Sequence, residues 1–114
     1  MLFSVEDEDP LSCDECFGPV AVLNTVGSFQ EGLDRAAATR FGLRASAYSR
    51  DVRHLRLAEQ KLRAGGVLLN LPPTFRLDSA PFGGVEHSGQ GFEGPRWAME
   101  QCTEARLIVE GMAV

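Results

Sequence analysis

No stretch of this chain approaches the ~20 consecutive apolar residues needed to cross a bilayer, and no signal peptide is evident. A membrane partner is therefore not expected. Positive charge is not in excess either. Eleven Lys and Arg stand against sixteen Asp and Glu, for a net charge of −5, which argues against nucleic acid as a partner. Cysteine is sparse. Cys13, Cys16 and Cys102 make an odd count, which speaks against a disulfide framework and for a reducing, cytoplasmic setting. Histidine is sparser still. His54 and His87 stand in no Ser-His-Asp or Cys-His order, and a general base needs a partner within hydrogen-bond reach. Internal repeats and low-complexity segments are also missing.

What is present is ordinary for a globular chain: 44% hydrophobic and 24% charged residues in 114, enough for one domain at most. Charge is unevenly spread. Glu6 to Asp9 form an acidic run, whereas Arg40, Arg44, Arg50, Arg53, Arg56, Lys61 and Arg63 make the middle basic. Arginines spaced this way are expected to form a solvated face. Cys13-Asp14-Glu15-Cys16 has the C-x-x-C spacing of redox and zinc sites. A redox motif would open a helix after a strand, however, and here Gly18-Pro19 follows. A structural zinc site needs four ligands, and no finger-like spacing supplies them. The cysteines are thus expected to be ordinary thiols, with no metal site.

Element signals alternate. Val20 to Leu23 is a short apolar run that predicts a strand covered on both faces. Ser28 and Glu31 form a capping box, and Phe29, Leu33, Ala36 and Ala37 mark one helical face. Gly42 closes that helical region, and Arg44 to Ser49 predicts a second strand. Asp51 is a candidate N-cap for a helix facing inward through Val52, Leu55, Ala58 and Leu62, with Gly65 as its C-terminal glycine. Val67 to Leu69 predicts a third strand. The fold class is therefore α/β: a partial parallel sheet with covering helices in the order β-α-β-α-β. Leu71 to Gly94 is a long loop rich in glycine and proline, of a length that usually marks function or a linker. Pro95 then starts a short helix to about Glu104, and Leu107 to Val109 predicts a C-terminal strand.

Gly89 to Gly94 matches G-x-G-x-x-G, which in a Rossmann unit lets a pyrophosphate approach a helix N-terminus. No strand directly precedes it and no second βα unit follows. A flexible glycine loop between a pocket wall and a helix is the expected reading.

One resemblance is colinear over nearly the whole chain. Glu15-Cys16-Phe17-Gly18-Pro19 matches E-x-F-G-P. Phe41-Gly42-Leu43 matches Y-G-L, followed by Ala45 to Asp51 in the register of A-A-S-V-F-T-R-D. Ala64 to Asn70 is similar to A-G-T-V-W-V-N, and Pro81 to Gly91 to P-F-G-G-x-K-x-S-G-x-G. Thr103-Glu104 matches the T-E before the last strand. In this order the motifs resemble the closing part of an aldehyde dehydrogenase catalytic domain, with residues 1–114 as its C-terminal portion. The resemblance implies that Glu15 hydrogen-bonds the nicotinamide ribose and that Phe17 packs on the nicotinamide. It places Phe75 and Phe82 on the aldehyde pocket, with Asn70 at the end of the strand leading there. Arg76, next to Phe75, is a candidate for selecting aldehydes that bear a carboxylate or phosphate. The last strand corresponds to one that joins the oligomerisation sheet.

Departures accompany the matches: Glu86 for a usual lysine, Phe92 for a usual arginine and Ala37 for a usual asparagine. The F-x-x-x-G-Q-x-C nucleophile motif is not in this sequence, and Cys102 has no matching context. No catalytic residue is therefore assigned. The complete family enzyme uses NAD or NADP and a small-molecule aldehyde, but this chain is expected to be inactive alone and to hold no cofactor tightly. Two alternatives compete with this reading. In one, the chain is a non-enzymatic interaction module that self-associates or binds a dehydrogenase subunit through its last strand. In the other, it is a small binding protein whose glycine loop takes an anion.

Overall fold

Among the described residues, a parallel ladder between residues 44–47 and 66–69 carries the sizeable core. The computed structural model describes residues 1–112. Its elements are β1 (Leu2–Phe3), α1 (Pro10–Cys13), β2 (Val22–Leu23), α2 (Phe29–Ala37), β3 (Phe41–Gly42), β4 (Arg44–Ala47), α3 (Val52–Lys61), β5 (Gly66–Leu69), β6 (Val85–Glu86) and α4 (Pro95–Cys102). In the β4–β5 ladder Ala45 faces Val67 and Ala47 faces Leu69, with α3 as the crossover. Leu33 of α2, Ala47 of β4, Ala58 of α3 and Leu62 form the buried cluster, ringed by Phe29, Ala45, Leu57, Val67 and Leu69.

The helix starts follow the sequence signals. The Ser28 hydroxyl accepts from the Glu31 N–H at 3.1 Å, and the Glu31 carboxylate reaches back to the Gly27 N–H at 2.8 Å. Asp51 caps α3 by accepting from the Arg53 N–H at 2.9 Å. The Arg53 side chain, followed by its backbone N–H, holds the Asp51 carboxyl down at about 2, below its ordinary 3.8. Lys61 donates to Asp34 at 2.6 Å and ties α3 to α2.

Several expectations are corrected. The described strands form three separate two-stranded ladders, rather than one sheet. Beside parallel β1–β2 and parallel β4–β5 stands an antiparallel β3–β6 pair that the sequence pattern does not announce. The first expected strand shortens to β2, and Val20 and Leu23 are exposed instead of covered. Val52, placed on the inner face of α3, is 63% exposed because only the Ala58 side of that helix meets the core. Ala36 and Ala37 also face outward. His54 is half-buried: its ring stacks on Phe29 with centroids 4.3 Å apart, and Ser49 Oγ lies 3.2 Å from its Nδ1. Leu107 to Val109 form no strand. Leu107 is 88% exposed, since a strand needs a neighbour and no described segment supplies one.

Gly65 does not cap α3. That helix ends at Lys61 with Leu62 as an extended C-cap. Gly65 instead lets the glycine-rich loop close onto the start of β5, because a Cβ there would overlap the Gly83 carbonyl. The loop is pinned. Phe82 and Glu93 exchange backbone hydrogen bonds at 3.2 and 2.6 Å, and the His87 N–H donates to the Arg40 carbonyl at 3.1 Å. Phe92 packs on Trp97 of α4 at 6.0 Å between centroids, an anchor that an arginine could not provide in the same way.

The chain stays open. Its radius of gyration is 19.8 Å, where a compact chain of this length has about 13 Å. Its accessible surface is 9296 Å², against roughly 6100 Å² for a folded monomer of this mass.

Two outcomes follow from these contacts. Gly65→Ala should cost about 1–3 kcal/mol by overpacking, and amide exchange at Phe82 and Glu93 should report it as lost protection; unchanged protection would mean that the loop is not seated by this contact. The depressed Asp51 pKa makes its contribution to α3 fully present above pH ~4 and lost as the pH falls through about 2. The Arg53 amide shift followed by NMR should titrate with that low midpoint, whereas a midpoint at 3.8 would show that Arg53 does not hold the cap.

Candidate functional site

Two carboxylates near the start of the chain, one inside the acidic run and one beyond it, are engaged. Asp7 pairs with Arg35 and Asp14 with Arg40, so the segment is strapped to the C-terminal end of α2 and its exit. Asp7 raises the Arg35 pKa above its ordinary value. Asp9 caps the short α1 by accepting from Leu11 N–H at 2.8 Å. The strap delivers Glu15 and Phe17 on the loop between α1 and β2. Glu15 is exposed and Phe17 is 96% exposed, so a carboxylate and an aromatic face stand open to a ligand.

Glu15 borders an open cleft of about 890 Å³ shared with Phe29, Phe41, Tyr48 and His87. The cleft runs between α2 and the β3–β4 segment. His87 meets Phe41 edge to face at 6.5 Å. Phe17, Asn70, Phe75, Arg76 and Phe82 do not line it. The structure therefore separates the sequence-derived site residues into two groups.

The second group lies on the 70–82 loop. Asn70 sits at φ 56, a left-handed conformation that asparagine tolerates better than most residues. Its amide is engaged on both sides: Oδ1 accepts from Ser49 N–H at 2.9 Å, and Nδ2 donates to the Ser49 carbonyl at 3.0 Å. The side chain thus lengthens the β4–β5 ladder by one pair. Phe75 turns back onto Pro72 through a backbone bond of 3.0 Å. Arg76 lies over the Phe82 ring at 4.4 Å from its centroid.

Arg44, which the sequence pattern assigned to a solvated face, is half-buried beside this group. Its Nε donates to the Pro73 carbonyl at 3.3 Å, another N–H donates to the Phe75 carbonyl, and its guanidinium lies 5.2 Å from the Phe82 centroid. The one available sequence signal was its place at the start of a strand, where alternation makes half-burial common. Phe75, Arg76 and Phe82 are therefore brought together, with Arg44 as the residue that fastens them.

Among the described residues no group of three His, Cys, Asp or Glu could hold a metal. Cys13 donates its thiol to the Asp7 carbonyl at 2.8 Å, and all three cysteines are exposed. No described helix is long and apolar enough to cross a membrane.

Comparison with known proteins adds independent findings. Residues 1–108 match the aldehyde dehydrogenase family. The lactaldehyde dehydrogenase of Methanococcus maripaludis is 33% identical over 108 residues, covering 95% of this chain and 23% of that protein. The 3-sulfolactaldehyde dehydrogenase of Priestia megaterium is 32% identical over 109 residues, covering 96% and 23%. Among solved structures, aldehyde dehydrogenase 21 from Physcomitrella patens, in complex with its reaction product succinate, superimposes with a TM-score of 0.79. The two are 34% identical, over 86% of this chain and 20% of that one. A glyceraldehyde-3-phosphate dehydrogenase from Methanocaldococcus jannaschii, complexed with NADP, gives a TM-score of 0.76 at 34% identity, over 85% and 21%. The chain spans about 23% of the length of the curated relatives it matches.

The Asn70 geometry generates a test. Asn70→Ala should expose the Ser49 amide to exchange and strain the left-handed turn by about 1–2 kcal/mol, whereas Asn70→Gly should lose the amide bonds but not the backbone fit. Equal protection of Ser49 in both variants and the parent would show that the side chain does not hold the strand ends.

Proposed function

The chain belongs to the aldehyde dehydrogenase family, and we propose that it forms the C-terminal portion of the catalytic domain of a NAD(P)-dependent aldehyde dehydrogenase. The observation that carries this is the match over residues 1–108 against only 23% of the relatives' length. The complete enzyme oxidises an aldehyde to the acid. Glu15, an exposed carboxylate, accepts from the two ribose hydroxyls beside the nicotinamide, and Phe17 offers its bare ring to the nicotinamide face. Both residues fit a cofactor by being open on the same loop. When bound, NAD or NADP supplies the hydride acceptor. Phe75 and Phe82 wall the aldehyde pocket, and Asn70 sets the loop that carries them by closing the strand ends. Arg76 selects an aldehyde with an anionic tail; the relatives named for 3-sulfolactaldehyde and glyceraldehyde-3-phosphate, and the one holding succinate, support that class.

The isolated 114 residues carry no nucleophile motif, and loss of a nucleophile removes many orders of magnitude of rate. Mixing the purified chain with NAD or NADP and a panel of aldehydes should give no reduced cofactor at 340 nm. Cysteine-dependent reduction would overturn the expectation that the chain is inactive alone. An open reading frame continuing upstream of Met1 with F-x-x-x-G-Q-x-C would support it.

A second reading is favoured by one observation. Leu107, Ile108, Val109 and Met112 are all strongly exposed. In that reading the chain is an interaction module that adds its last segment to a second copy or to a dehydrogenase subunit. Size-exclusion chromatography with light scattering should show self-association, and an apolar dye should bind. A monodisperse monomer with a sharp cooperative melt and no dye binding would remove the physical basis of this reading.

A further inference from the structure

We propose that His54 is a positioning residue for the 70–82 loop. Through Ser49 and Asn70 its neutral ring holds the loop that carries Phe75, Arg76 and Phe82, and protonation of the ring loosens that loop. The substrate-facing role of the loop rests on the dehydrogenase reading; the coupling itself rests on geometry. Three elements meet at His54. Its ring lies on Phe29 of α2, with centroids 4.3 Å and planes 7° apart. Its Nδ1 stands 3.2 Å from Ser49 Oγ, just beyond the end of β4. Ser49 exchanges two bonds with the Asn70 amide, at 2.9 and 3.0 Å, and the Asn70 N–H donates to the Ala47 carbonyl at 2.8 Å. Asn70, at φ 56, directly follows β5, and the loop leaves from it.

The count of protons sets the tautomer. A hydroxyl has one proton to give and two lone pairs. Ser49 Oγ accepts the Asp51 N–H at 3.1 Å, a contact that cannot take the hydroxyl proton. Among the described residues, His54 Nδ1 is the remaining partner of that hydroxyl. Nδ1 is therefore the bare acceptor, and Nε2 carries the ring proton. Protonation puts an N–H on both nitrogens. Ser49 Oγ then faces two donors, and its own proton loses its acceptor in a half-buried position. The hydroxyl has to turn, and the Ser49 backbone that pairs with Asn70 loses the anchor of its side chain. The charged groups on the surrounding elements are engaged elsewhere. Asp51 holds Arg53, and on α2 Glu31, Asp34 and Arg35 hold the Gly27 N–H, Lys61 and Asp7. Arg50, next to Ser49 in the chain, is exposed. The bond to Ser49 is thus the contact that protonation of His54 changes.

NMR of the isotope-labelled full chain tests the coupling. Imidazole spectra above the His54 midpoint should show Nδ1 bare and Nε2 protonated; the opposite tautomer overturns the proposal. As the pH falls, the Asn70 side-chain amide signals should follow the midpoint of the His54 ring. The Phe75 and Ala80 N–H groups close turns onto the Pro72 and Leu77 carbonyls at 3.0 and 3.1 Å. Their exchange, corrected for its intrinsic pH dependence, should accelerate about fivefold across the same midpoint, as expected for one lost hydrogen bond. Asn70 and loop signals that ignore the His54 titration overturn the proposal. His54→Phe keeps an aromatic on Phe29 but removes the acceptor, so the loop should exchange fast at every pH. His54→Gln supplies a carbonyl acceptor that does not titrate, so the pH step should vanish. Slow loop exchange in the Phe variant, or a pH step that survives in the Gln variant, also overturns it. Ser46 and Leu68 amides in the β4–β5 ladder report whether each variant is folded, and the titration of the parent chain decides the matter where one is not. None of these signals depends on aldehyde chemistry, so their failure leaves the family reading intact. Coupling found in a chain whose longer form oxidises no aldehyde would keep the positioning role of His54 and remove the substrate role of the loop.

Discussion

The parallel pairing of Arg44–Ala47 with Gly66–Leu69 positions everything around the candidate site. The ladder seats Ala47 in the core cluster, where Ala58 of α3 and Leu62 just beyond it join Leu33, and buries Leu68 as well. Its two ends are closed by different means. At one end the Asn70 amide pairs with Ser49 as if it were backbone. At the other, Gly65 admits the Gly83 carbonyl where any side chain would block it. The substrate-side loop leaves from the first closure, and the glycine-rich loop docks at the second. Shifting the ladder by one residue would break both, because side chains alternate across a strand.

Charge does the work at the periphery. The sequence pattern placed the arginines of the middle on a solvated face. In the folded chain Arg40 pairs with Asp14, and Asp7 of the acidic run pairs with Arg35 of α2. Exposed pairs of this kind contribute little stability on their own. Their value here is registration: they hold the Glu15–Phe17 loop near α2. Arg44 does the same for the opposite loop, but with carbonyl acceptors instead of carboxylates.

The open architecture has a physical cause. Parallel strands are normally flanked and covered on both faces. Here each ladder has only two strands, and Leu23, Val52 and the 107–109 segment present apolar side chains to water. A chain with so much unburied apolar surface gains from covering it, whether by other parts of a dehydrogenase subunit or by a second copy.

Local chemistry settled much of this protein in advance. Ser28-x-x-Glu31 and Asp51 mark helix starts because capping depends on residues within one turn; the runs at Arg44–Ser49 and Val67–Leu69 hold β4 and β5, whereas the run at Val20–Leu23 keeps only the short, exposed β2. The Glu15 to Pro19 and Pro81 to Gly91 motifs were enough to indicate the family. Long-range pairing was not legible. That β1 joins β2 and β3 joins β6, that His54 stacks on Phe29, and that Gly65 serves a close approach instead of a helix end all depend on contacts between residues far apart in the chain. The same holds for the site. Sequence named Phe75, Arg76 and Phe82 one by one, but only the fold put Arg44 beside them, because a half-buried arginine at a strand start finds its acceptors about thirty residues away.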